Sequence, residues 1–148
     1  MTKKKLKLGF IGGWGHGGHI VNDLKENKPE NVEVVAVGQT NTEEPGWDLD
    51  TDYFKDVNYY SDYKKMLKEV NLDLAVVSTG LKYLQPAILE AASAGCHLIC
   101  EKPIASSRRQ LHNLYREVNS NNSKLILLLA NRGKPYLSCL KLSMYYYT

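Results

Sequence analysis

A run of glycines directly after a short apolar segment is the feature that most restricts how this chain can fold. The segment Leu6–Ile11 predicts a buried β-strand, and Gly12-Gly13-Trp14-Gly15-His16-Gly17-Gly18 follows it at once. A helix is predicted next, because Ile20, Val21 and Leu24 fall on one helical face. Glycines at such a turn permit left-handed backbone angles and let a ligand approach the backbone closely. The sequence therefore predicts a strand–turn–helix unit with accessible backbone at its turn.

The rest of the chain alternates between strand and helix signals. Apolar runs predict strands, and helical spacing predicts helices between them; the strands are at 32–37, 57–60, 73–78, 97–100 and 125–130, and the helices at 61–70, at 84–94 and after a capping Ser107. This alternation favours βαβ units, a mostly parallel sheet and helices on both of its faces. We therefore predict an α/β, Rossmann-like, doubly wound domain.

Two local expectations concern the second half of the chain. His97 begins a predicted strand, so we expect it to be a packed core residue. The last helix places Leu111, Leu114, Tyr115 and Val118 at helical spacing, which predicts one apolar face.

The glycine run matches a phosphate-binding pattern in two registers. The window 13–18 satisfies G-x-G-x-x-G literally, whereas the window that starts at Gly12 has Trp14 in the second glycine place and Gly17 in the third. The sequence leaves both registers open. In either one, unpaired N–H groups at the start of the helix would face a pyrophosphate. We expect the whole run 12–18 to form part of a dinucleotide site.

Gln39 follows the second predicted strand, where NAD-binding domains usually carry Asp or Glu for the ribose hydroxyls. An amide can hydrogen-bond a hydroxyl, but it has no charge to repel a 2′-phosphate. No arginine follows that would attract this phosphate. The choice between NAD and NADP is therefore open.

Two further strand ends supply polar candidates for the same site. Ser78 and Thr79 end the fourth predicted strand, and Glu101-Lys102-Pro103 follows the fifth. Ligands of open α/β sheets bind outside the carboxyl ends of the strands. A lysine there can donate to a substrate oxygen or stabilise a developing alkoxide. Taken alone, the Glu101–Lys102 pair is more simply explained as a surface ion pair.

Composition excludes several other classes of protein. The 19 Lys and Arg against 16 Asp and Glu give a formal net charge of +3, too small to indicate a nucleic-acid binder. No apolar run approaches the roughly 20 residues that a membrane-spanning helix needs. The three cysteines include no C-x-x-C pair, and His16 and His19 lack a third metal ligand. We expect a cytoplasmic protein that holds no metal and binds neither nucleic acid nor membrane.

Four segments together resemble the amino-terminal half of the Gfo/Idh/MocA oxidoreductases, which include glucose–fructose oxidoreductase and inositol 2-dehydrogenase. They are 8–12, 60–63, 73–79 and 94–105, and the last, A-G-x-H-x-x-x-E-K-P-x-A, is the most specific. The resemblance covers residues 5 to 137. It implies that this domain binds NAD or NADP, and that a sugar or cyclitol carbon is oxidised or reduced by hydride transfer. It also implies that Lys102 contacts the reacting hydroxyl and the cofactor, and that Pro103 shapes the turn that presents Lys102.

The chain also departs from that family. Gln39 replaces the acidic residue, Thr79-Gly80 replaces a Thr-Pro pair, and Leu84 replaces a histidine. The family's second domain supplies the acid/base histidine, most of the substrate pocket and the oligomer interface, and the chain does not contain it. We therefore expect 1–137 to be the dinucleotide-binding domain and 138–148 to be a truncated tail. A sugar-like substrate would bind only if a second domain were supplied, and the uncovered apolar face would favour self-association.

Two functions are consistent with these observations. The first is a hydride-transferring oxidoreductase domain that is inactive without its second half, and Lys102 beside the glycine run favours it. The second is a non-catalytic or vestigial dinucleotide-binding module, and Gln39 together with the missing histidine favours it.

Overall fold

The structure is a computed structural model, and it describes residues 4–40 and 53–129. The strands and helices of the described residues follow one another in the order β1 (Leu6–Ile11), α1 (Gly17–Asn27), β2 (Val32–Gly38), β3 (Asn58–Tyr60), α2 (Tyr63–Glu69), β4 (Leu74–Val77), α3 (Leu81–Ser93), β5 (His97–Cys100), α4 (Arg108–Ser120) and β6 (Leu125–Leu127). The predicted tail at 138–148 and the end of the predicted domain lie outside the described residues.

The six strands form one parallel sheet in the order β3-β2-β1-β4-β5-β6. This is the strand order of a dinucleotide-binding Rossmann fold. The chain moves outward from β1 in one direction to β2 and β3, and then returns past β1 to β4, β5 and β6. The predicted α/β doubly wound fold is confirmed.

Apolar side chains alternate between the two faces of the sheet, as the pleat of a strand requires. Ala75 and Val77 of β4 pack on the face that α2, α3 and α4 cover. Val76 packs on the opposite face, against α1 and Phe54. Because both faces of the central strands are covered, those strands are apolar along most of their length.

Most strand boundaries agree with the prediction within one residue, and the largest differences are in two elements. Strand β6 ends at Leu127, although the predicted strand extends to 130, and α3 starts earlier than predicted. The helix begins at Leu81, earlier than the predicted Leu84. The carbonyl oxygen of Gly80 accepts hydrogen bonds from the backbone N–H groups of Tyr83 and Leu84 at 2.9 and 3.1 Å, which closes an additional turn.

One expectation about packing is wrong, and the packing of α4 is narrower than its apolar spacing. His97 is exposed at the first position of β5, where its ring Nδ1 accepts a hydrogen bond from the backbone N–H of Lys124 at 3.2 Å. On α4, Leu114 and Val118 are buried, but Leu111 is 49% exposed and Tyr115 is 67% exposed. Only two of the four apolar residues at helical spacing on α4, Leu114 and Val118, are therefore buried against the rest of the domain.

No helix within residues 4–40 and 53–129 is long and apolar enough to cross a membrane. Cys96 and Cys100 are buried free thiols, and burial raises the pKa of the Cys100 thiol to about 12.

Shortening Leu84 to alanine should lower the free energy of unfolding by about 2–5 kcal/mol, because its side chain is 1% exposed inside the α3–sheet core. Leu81→Ala is the matched control on the same helix, since Leu81 is 57% exposed, and it should change stability by no more than about 0.5 kcal/mol. Urea denaturation of both variants measures the difference. Equal losses would show that α3 does not bury Leu84 as described.

Candidate functional site

The glycine run leaves the sheet at the point where the chain changes direction. Strand β1 lies between β2 and β4. Helix α1, which connects β1 to β2, packs on one face of the sheet, and α3, which follows β4, packs on the other. A crevice forms outside the carboxyl ends of the strands at such a switch point, and it is the usual ligand site of an open α/β sheet. The ends of β1, β4 and β5 bring the predicted residues 12–18, 78–79 and 101–103 to this crevice.

Gly12 makes the turn out of β1. Its φ angle is +75°, a conformation that favours glycine, and an added Cβ would lie 2.7 Å from the carbonyl oxygen of Ser78. Its backbone N–H donates to the carbonyl oxygen of Gly38 at 2.8 Å, which ties the turn to the end of β2. No other residue type fits this position without moving the backbone.

Gly15 is the second glycine that the turn requires. Its φ angle is +88°, and an added Cβ would lie 2.9 Å from Oε2 of Glu101. Gly18, by contrast, has nothing within 4 Å of an added Cβ. The steric demands therefore fall on Gly12 and Gly15, one glycine from each register that the sequence left open.

Ser78 fixes the glycine run by hydrogen bonds to its backbone. Its hydroxyl donates to the carbonyl oxygen of Trp14 and accepts from the backbone N–H of Gly17 at 2.9 Å, while its own carbonyl oxygen accepts from the backbone N–H of Trp14 at 2.9 Å. Ser78 is fully buried. Its polar atoms therefore position the glycine run and do not face the crevice.

Glu101 is the most buried charged side chain in the described residues, with 2% exposure. Its Oε2 accepts the backbone N–H of His16 at 2.7 Å, and its Oε1 accepts the backbone N–H of Lys102 at 3.1 Å. The ring Nδ1 of His16 lies 3.0 Å from Oε1 and 3.1 Å from Oε2. Burial by itself raises the pKa of this carboxyl, but the hydrogen bonds from His16 and from the Lys102 N–H outweigh it and leave the pKa below its ordinary value. The surface ion pair considered for Glu101 and Lys102 is thus a buried carboxylate with several donors.

Lys102 lies at the rim of the same site. Its side chain is half exposed, and its Nζ lies 3.5 Å from Oε1 of Glu101. The peptide bond to Pro103 is cis, and Pro103 is exposed. The ammonium group is accessible to a ligand while its backbone is fixed by the carboxylate behind it.

The two remaining predicted residues lie at the ends of their strands. Gln39 is half-buried, and its backbone accepts from Tyr63 and donates to Tyr60, each at 2.9 Å. The hydroxyl of Thr79 is buried and shares a 2.7 Å hydrogen bond with the hydroxyl of Thr40. Thr40 was not among the predicted residues, and a single threonine after a strand carries no signal that would have found it.

The donor set of the loop fits an anionic dinucleotide. Among residues 4–40 and 53–129, the backbone N–H groups of Gly13, Gly15 and Gly18 have no acceptor. They lie at the start of α1, where the helix dipole favours negative charge. Trp14 is 51% exposed beside them, so its indole is accessible to a ligand. The loop therefore has both the donors and the accessible backbone that a pyrophosphate needs.

The described residues include no group of three or more histidine, cysteine, aspartate or glutamate side chains that could hold a metal ion. The pair His16 and His19 is instead a stacked pair of rings, with centroids 5.5 Å apart.

Comparison with known proteins agrees with this geometry. Residues 6–128 match the family described as "Oxidoreductase family, NAD-binding Rossmann fold", GFO_IDH_MocA. The chain belongs to this family. The resemblance drawn from the E-K-P motif and the glycine run is confirmed, and so is NAD-type binding as a property of the family, with NAD against NADP unresolved.

Relatives show how much of a longer protein this chain spans. An uncharacterized oxidoreductase of Schizosaccharomyces pombe is 29% identical over 79 residues, which are 53% of this chain and 21% of that protein. The WlbA dehydrogenase of Bordetella pertussis, solved in complex with NADH and UDP-GlcNAcA, superposes with a TM-score of 0.78 at 20% identity, over 97% of this chain and 42% of that one. The scyllo-inositol dehydrogenase of Lactobacillus casei, with bound NAD(H) and scyllo-inositol, superposes with a TM-score of 0.71 at 21% identity, over 96% and 42%. The chain thus spans less than half of each of these proteins.

Replacing Gly12 with alanine should destabilise the fold by about 2 kcal/mol or more, because a left-handed residue costs about 1–2 kcal/mol and the new Cβ also meets the Ser78 carbonyl. Gly18→Ala is the matched control: it lies in the first turn of α1 with open space around it, and it should be neutral or stabilising by up to about 1 kcal/mol. Thermal unfolding of the two variants measures the contrast. Similar stabilities would mean that Gly12 does not make the turn described.

Proposed function

We propose that this chain is the dinucleotide-binding domain of an oxidoreductase that transfers hydride between NAD or NADP and a CH–OH carbon of a sugar or cyclitol. The observation that carries the proposal is the placement of Lys102 beside a glycine turn whose three N–H donors have no acceptor among the described residues. Family membership supports the cofactor class. The sugar nucleotide and the cyclitol bound by the two structural relatives support the substrate class.

Each part of the site has a role in this proposal. The N–H groups of Gly13, Gly15 and Gly18 would hold the pyrophosphate, and Gln39 would contact the ribose next to it. When bound, the nicotinamide supplies the hydride acceptor or donor. Lys102 would donate a hydrogen bond to the substrate oxygen and stabilise the charge that develops there.

Residue 39 bears on cofactor choice. The Gln39 amide is neutral and follows β2, where the charge of an acidic residue would exclude a 2′-phosphate. We therefore propose weak discrimination between NAD and NADP.

The described residues supply only part of a dehydrogenase site. Proton transfer by a positioned group contributes about 10²–10⁴ to a rate. Lys102, whose side chain is half exposed, is the group at the rim of the described crevice that we propose reaches a substrate. Following the resemblance, the acid/base histidine and the pocket walls belong to a second domain. We propose that this chain by itself binds dinucleotide with negligible turnover, and that it acts in the cytoplasm, where the buried thiols of Cys96 and Cys100 would stay reduced.

A second candidate is a dinucleotide-binding module that has no catalytic role. Its support is that two loop donors are already used inside the protein: the backbone N–H of His16 binds Glu101, and that of Gly17 binds Ser78. Fewer free donors predict weaker affinity for the pyrophosphate.

NADH fluorescence should change when the chain is titrated in, and Gly15→Val should abolish the change. A valine at φ +88° strains the loop and displaces Glu101. Gly95→Val is the matched control. Gly95 has a similar φ of +83°, but it precedes β5 and so lies at the amino ends of the strands, away from the crevice. If the chain leaves NADH fluorescence unchanged, the dinucleotide site is refuted; if both variants lose binding, the loss reflects general instability.

Incubation of the purified chain with NAD and either inositol or glucose should give no NADH above the rate without protein, because the described domain lacks the acid/base histidine implied by the family. Absorbance at the NADH band follows the reaction. The same preparation must bind NADH in the fluorescence assay, which controls for folding. Measurable, protein-dependent NADH formation would overturn the proposed inactivity of the chain.

A further inference from the structure

The contact between His16 and Glu101 connects the glycine loop to the end of β5 through an ionisable side chain. The His16 ring is in the loop that would receive the pyrophosphate, and its Nδ1 lies within 3.1 Å of both Glu101 oxygens. The side chain of His16 is about one-third exposed, while that of Glu101 is almost fully buried. A partly exposed histidine of the glycine loop therefore contacts a buried negative charge.

The carboxylate decides which ring nitrogen of His16 carries a proton. An ionised carboxylate only accepts hydrogen bonds, so Nδ1 must donate. A neutral His16 then has its lone pair on Nε2, and protonation can occur only there. An Nε2 lone pair repels an anion, whereas an Nε2–H attracts one.

The pyrophosphate of a dinucleotide would bring two negative charges to a loop that already contacts the negative charge of Glu101. The backbone N–H of His16, which could meet a phosphate, is taken by Glu101 at 2.7 Å. Three charged or titratable groups lie near His16 in the described elements. They are the Glu101 carboxylate, the Lys102 ammonium, which contacts the same Oε1 of Glu101, and the ring of His19 on α1, which is stacked on the His16 ring. Among these groups, a proton on His16 is the change that would add positive charge directly beside Glu101.

We propose that binding of the dinucleotide is coupled to proton uptake by His16, whose imidazolium then balances the charges of Glu101 and of the pyrophosphate. This inference rests on the proposed dinucleotide site. Because the proton favours the bound state, the affinity for dinucleotide rises as pH falls through the range in which histidine titrates.

Two measurements on the 148-residue chain test the coupling. Calorimetric titration with NADH at pH 7 in HEPES and in Tris, which differ in ionisation enthalpy, should show net proton uptake on binding. The dissociation constant should fall about tenfold between pH 8.5 and pH 6.0, because an added positive charge beside the loop favours an anionic ligand. NADH that binds with no proton uptake and no pH dependence would overturn the inference and leave the proposed function standing.

Variants of the two histidines test which residue takes up the proton when NADH binds. His16→Asn should bind NADH with no proton uptake, and His19→Asn is the matched control that should retain the uptake. Circular dichroism and a thermal melt establish that each variant folds, and His16→Gln replaces His16→Asn if the latter does not. Uptake that survives both His16 variants would overturn the assignment, and failure of the wild-type chain to bind NADH would overturn this inference and the proposed function together.

Discussion

The buried carboxylate of Glu101 is the interaction on which the arrangement of the site depends. An ionised carboxylate away from water costs several kcal/mol unless donors surround it. Here the donors come from two places: the backbone and ring of His16, and the backbone and ammonium of Lys102. The carboxylate can be satisfied only when the glycine loop and the E-K-P turn are both in position, so the two parts of the site are built together.

The parallel sheet makes this contact possible. Strands β1, β4 and β5 are neighbours in register, so their carboxyl ends deliver residues distant in sequence to one edge. Ser78 fills the middle of that edge and bonds to the backbone of the loop on one side, while Glu101 bonds to it on the other. These bonds fix the loop and leave three of its N–H groups without an acceptor among the described residues.

Much of this architecture could be predicted from the residues alone. Strands β1 and β5 have the predicted ends, since uninterrupted apolar runs bounded by glycine or charge leave little choice of register. The start of α3 was missed because Gly80, a poor helix former, caps the helix with its carbonyl. The burial of His97 was predicted wrongly because strand membership describes local periodicity, whereas burial depends on which neighbouring element covers each position.

By itself, the sequence determined the fold class, the glycine turn and the family, because apolar periodicity, glycine spacing and the E-K-P motif are all local in the chain. Only the tertiary structure decided what Glu101 does. The sequence shows it as half of an adjacent Glu–Lys pair, and its decisive partner, His16, is 85 positions away. The tertiary structure also chose the glycines that matter, Gly12 and Gly15, because the crowding at a Cβ comes from Ser78 and Glu101 across the sheet and not from neighbours along the chain.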